Sequence, residues 1–139
     1  MRRYLIVANQ TLAGGHLVTK VRELADHGPC AFHLLVPATA AHVGAWSEGQ
    51  AHAVAEERLR VGLARMADLG LEATGEVGDD HPVYAVQDVL MRGEAFDAII
   101  VSTLPEKVSR WLRADLVRRV AGFGLPVIHI VGQPEPVTI

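Results

Sequence analysis

The chain has 139 residues, half of them apolar, enough to build one domain around a single core and too few for a second. Its 13 basic and 16 acidic residues are interspersed and leave a formal net charge of -3, which excludes the broad basic surface that nucleic acid or anionic lipid needs. Cys30 is the only cysteine, so an intramolecular disulfide is excluded and a reducing, cytoplasmic setting is expected, with Cys30 a small buried hydrophobe.

In chain order, MRRYLIVANQ opens on two arginines and an apolar run that stops at Asn9, short of the ~20 residues a membrane span requires. Tyr4 to Ala8 is read as a first strand with the arginines at its exposed end. Leu17, Val21, Leu24 and Ala25 share one face of a first helix, which Gly28-Pro29 ends. Ala31 to Val36 is a second strand. Ala51, Val54, Ala55, Leu59, Leu63, Met66 and Leu69 recur at helical spacing up to Gly70. Leu71 to Val77 is a third strand. A third helix follows over Val83, Val86, Val89 and Leu90, with Asp80 as its cap and Pro82 in its first turn. Ala98 to Val101 is a fourth strand. Val108, Leu112, Leu116, Val117 and Val120 define a last helix that breaks or bends before Asp115. Pro126 to Val131 is a fifth strand, and the tail QPEPVTI leaves the sheet.

Most of the strand runs are continuously apolar, which marks strands covered on both faces. Strands alternating with helices predict a single α/β domain over residues 1–139, three layers deep, with an open parallel sheet and right-handed crossovers. Ligands of such sheets bind at the carboxyl ends of the strands, where the strand order reverses. At those ends stand Asn9, Gln10 and Thr11 after strand one and Ser102 and Thr103 after strand four. Gly14 and Gly15 near the first helix start, and Lys107, Ser109 and Arg110 after strand four, add N–H donors and positive charge suited to a small polar or anionic ligand. Plainer roles compete: Thr11 as a helix cap, Ser102 and Thr103 as partners for loose backbone ends, and Trp111 and Leu112 as anchors of a short amphipathic helix.

Three segments carry a family likeness. LIVANQT is similar to a first strand that ends in an acidic residue and a Gly-Ser turn. GDDHPVYAVQDVL is similar to a third crossover in which Gly-Asp closes strand three and a proline opens the helix. AIIVS through LPVIHIV matches in length and register a fourth strand, phosphate loop, helix and fifth strand. On these segments the chain resembles the universal stress protein family. The resemblance implies a five-stranded parallel sheet ordered 3-2-1-4-5, a dimer, and ATP bound in some members. Those members carry Gly-x2-Gly-x9-Gly followed by Ser or Thr after strand four. The matching positions here are Val101, Leu104, Ala114 and Asp115, and all four depart. Asn9 stands where the acidic residue is usual and Gln10 where the turn glycine is. Without glycines the backbone cannot crowd a triphosphate, so ATP or another adenine nucleotide is disfavoured as cofactor.

The seven histidines form no close helical pair and have no cysteine partner, so no metal site is expected. His33 and His129 read as hydrogen-bonded core or interface groups. The chain has no Gly-x-Ser-x-Gly elbow and no SGG-x-D-S loop, and no catalytic residues are assigned. The expected function is a non-enzymatic, universal-stress-like regulatory or ligand-sensing protein. Its alternatives are a pure interaction module with a filled crevice and an enzyme acting on a nucleotide-like substrate. Val127 to Val131 carries no charge, with Pro126 only ahead of it, so this strand is expected to pair with its copy in a homodimer.

Overall fold

The computed structural model describes residues 1–9, 11–12, 14–39, 48–103 and 110–132, residues 48 and 110–114 by backbone alone. Its elements run β1 (Arg2–Val7), α1 (Gly15–Asp26), β2 (Cys30–Pro37), α2 (Glu48–Asp68), β3 (Glu72–Gly78), α3 (Pro82–Met91), β4 (Ala98–Thr103), α4 (Arg110–Ala121) and β5 (Val127–Val131). The five strands form one sheet ordered β3-β2-β1-β4-β5, and every neighbouring pair is parallel. This is the expected single α/β domain. Among the described residues no helix is long and apolar enough to cross a membrane.

Strand alternation sorts the apolar side chains onto two faces. Tyr4, Ile6, Leu34, Val36 and Ile100 pack with Leu17 and Val21 of α1 and Ala55 and Met66 of α2. Leu5, Val7, Leu35, Ile99 and Val101 pack on the other face with Val86 and Val89 of α3 and Val120 of α4. The central strands β1 and β4 have no polar face toward either layer, which explains their continuous apolar runs. Gly75 lets α2 lie close on β3, because a Cβ there would stand 2.4 Å from Leu59 Cδ1. Gly70, at φ +74°, supplies the left-handed turn that ends α2.

Several local expectations are corrected. Arg2 and Arg3 belong to β1 rather than preceding it. β4 continues through Ser102 and Thr103, which lie beside Ile130 and Val131 of β5. The described helix α4, Arg110–Ala121, runs unbroken across Asp115, which pairs along it with Arg118 and, at 4.0 Å, with Arg119, while the stretch 104–109 ahead of it lies outside the described residues. The cap of α3 is His81 rather than Asp80, and Asp79 Oδ1 accepts the His81 N–H at 2.8 Å. That hydrogen bond above all holds the Asp79 carboxyl below its usual range. Thr11 does not cap α1, whose N-cap is Gly14.

Candidate switch-point crevice

β1 lies between β2 and β4, so the chain leaves it toward one side of the sheet and returns on the other. At the carboxyl ends of these strands the described residues enclose a cleft of about 100 Å³. Val7, Ala8 and Asn9 come from the β1 exit, Pro37 and Thr39 from the β2 exit, Pro82 from α3, Val101 and Ser102 from β4, and Leu116 from α4.

Two expected residues, Asn9 and Ser102, therefore meet in one cleft. Asn9 is held from three sides: its amide donates to Pro37 O at 2.7 Å and Thr39 Oγ1 at 3.1 Å, while its Oδ1 accepts from Arg58. The Thr11 and Ser102 hydroxyls bond each other at 2.6 Å, both buried, and tie the β1 exit to β4. Thr103 turns instead to β5, where its hydroxyl meets His129 Nε2 at 2.8 Å. Gly14 donates its N–H to Thr11 O at 2.9 Å in the turn after β1. A Cβ on Gly15 would meet nothing within 4 Å, so no close approach requires glycine there. Arg110 is the first residue of α4, described by its backbone. Gln10, Lys107 and Ser109 lie outside the described residues.

Three of the four residues set against the family's glycine pattern are described, and these three lie in regular elements. Val101 is a core residue of β4, opposite Val7 and His129. Ala114 and Asp115 lie inside α4, and Leu104 falls outside the described residues.

Sequence reasoning missed Thr39, Pro82, Leu116 and Arg58. Arg58 was the most legible of these. It falls between Ala55 and Gly62 on the α2 row that packs on the sheet, where a charged residue calls for a partner. Beside the cleft, His81 stacks on Tyr84 with ring centroids 4.3 Å apart. The His81 Nδ1 is buried and has no hydrogen-bond partner among the described residues.

Among the described residues the lining is neutral. Its described polar groups are one amide and two hydroxyls, and the partner of Ser102 is another hydroxyl, not a base. Cys30 lies at the opposite, amino end of β2, half-buried, and burial pushes its thiol up, away from reactivity. No protein-family model matches the chain, and no curated protein matches it.

Proposed function

We propose that the chain is a non-enzymatic regulatory protein of the universal-stress-like kind, cytoplasmic and homodimeric through β5, which takes a small polar ligand at the switch point and not ATP. The observation that carries this reading is the pairing of crevice groups with one another, Thr11 with Ser102 and Asn9 with Thr39, Pro37 O and Arg58. Donors already engaged this way are costly to redirect to a triphosphate. The described cleft volume of about 100 Å³ also falls below the roughly 300–1,000 Å³ of pockets that enclose drug-sized ligands. The described part of the lining, neutral and without a base, supports binding over turnover. The same internal pairing favours a second reading, an interaction module whose crevice is filled by its own side chains.

Calorimetry with ATP and native mass spectrometry of the purified protein test both readings. ATP affinity weaker than about 0.1 mM, less than ~5.5 kcal/mol of binding free energy, is expected. A retained small molecule supports the sensor, and its absence supports the interaction module. Low-micromolar ATP binding, or ATP turnover abolished by Ser102→Ala, overturns both.

A further inference from the structure

Away from the crevice, on the α3 side of the sheet, a second polar cluster brings together residues that are distant in sequence. His33 of β2 is buried, and its ring is held at both nitrogens: Nδ1 lies 2.7 Å from Thr74 Oγ1 and Nε2 lies 2.7 Å from Glu76 Oε2, both on β3. Glu94, in the segment between α3 and β4, adds a carboxylate. One donor atom from each of His33, Glu76 and Glu94 lies within 4.8 Å of the others. Arg92, the C-cap of α3, bonds both carboxylates, reaching Glu76 Oε1 at 2.9 Å and Oε2 more closely, and Glu94 Oε2 at 3.3 Å.

We propose that His33, Glu76 and Glu94 form a binding site for one divalent transition ion of the zinc type, with Arg92 as the cation that the ion displaces from between the two carboxylates. One nitrogen and two carboxylate oxygens suit zinc or cobalt better than the all-oxygen cages of magnesium or calcium. Thr74 supplies the outer support that metal-binding histidines need. In the neutral ring Nε2–H donates to Glu76 while Thr74 donates to Nδ1. On metal binding the Nε2 proton is released, Nδ1 takes up a proton, and the Thr74 hydroxyl turns to accept from it. Bond lengths near 2.0–2.2 Å place tetrahedral ligand atoms about 3.3 Å apart, so Nε2 and Oε2 need to separate by roughly half an ångström. Glu94, half-exposed and outside any strand, supplies the remaining movement. Arg92 can keep its bond to Glu76 Oε1 and orient that carboxylate from outside. The ligands come from three separate segments, so their spacing along the chain gives no metal signature.

The test is a Co²⁺ titration of the whole chain followed by absorption, with Zn²⁺ as competitor. One equivalent should bind with a tetrahedral cobalt spectrum. Affinity should fall at least about tenfold in His33→Gln and Glu94→Gln, and rise about tenfold in Arg92→Gln, where the nearer competing cation is gone. Arg3, 3.9 Å from Glu94 Oε1, still pairs with that carboxylate. Glu94→Gln alters only a half-exposed side chain, so it reports on binding even if His33→Gln folds poorly, and circular dichroism checks each variant. Wild-type affinity in Glu94→Gln, or no saturable binding up to about 1 mM by both wild type and Arg92→Gln, overturns the proposal.

Discussion

The hydroxyls of Thr11 and Ser102 lie 2.6 Å apart in the interior and fasten the exit of β1 to the end of β4. Removing one partner leaves the other hydroxyl largely buried without its hydrogen bond. Thr11→Val or Ser102→Ala alone should each cost about 1–3 kcal/mol, and the double variant clearly less than their sum. Urea unfolding of all four proteins measures this coupling. Strict additivity would mean that the two hydroxyls do not depend on each other.

Val101 gives a second prediction. Replacing it with glycine to imitate a phosphate loop should not create ATP binding, because this residue is 1% exposed inside β4. The lost side chain and the freer backbone should together cost about 3 kcal/mol. Thermal unfolding alongside ATP calorimetry checks both halves of the statement.

The dimer prediction now has a register. Ile99 N–H donates to Pro126 O, and Gly132 N–H donates to Thr103 O. By the alternation of a parallel ladder, the N–H and C=O of Val127, His129 and Val131 therefore point away from β4. A two-fold antiparallel pairing that uses these groups centres on His129. Ile128 and Ile130 pack into the core and are unsuitable probes, whereas Val131 is 42% exposed. His129→Cys should cross-link to its copy under mild oxidation, since hydrogen-bonded antiparallel partners stand about 5.5 Å apart at Cα. Val131→Pro, which removes an outward N–H, should weaken the dimer in ultracentrifugation at micromolar concentration. A wild-type monomer would refute strand pairing altogether.

Acid should find Glu76. Arg92 above all, and His33 secondarily, hold its carboxyl below the usual range against a smaller opposing effect of burial. A depressed folded-state value means that the stability it contributes is complete above about pH 4.5 and is lost as pH falls through the folded value. Between pH 7 and pH 3 the wild type should therefore lose more stability than Glu76→Gln. Parallel loss in the two proteins would show that this carboxylate is not linked to folding.

The parallel α/β layers and most helix faces were legible in the sequence, because continuous apolar runs and helical spacing report burial directly. The strand order was expected from the family likeness and not from any periodicity. Asn9 and Ser102 were legible as crevice residues for a related reason: the end of an apolar strand marks where the chain surfaces. What the sequence hid was which polar groups would satisfy which. Ser102 and Thr103 are adjacent, yet strand alternation sends one to Thr11 and the other to His129. Asn9 is claimed by Arg58, 49 positions away, and no local pattern encodes that pairing. Thr11 fails to cap α1 for a similar reason, since a side chain engaged in tertiary bonding cannot also serve its own turn.

The two ends of the sheet differ in a way that bears on assembly. β3 carries Glu72, Thr74 and Glu76 on alternate positions, so two such strands laid side by side would bring carboxylates against carboxylates. β5, Val-Ile-His-Ile-Val, has no fixed charge of that kind. A polymer needs two adhesive ends per subunit. If β5 pairs with its copy as proposed, a carboxylate-bearing β3 stands at each outer margin, and growth by edge pairing would stop at the pair.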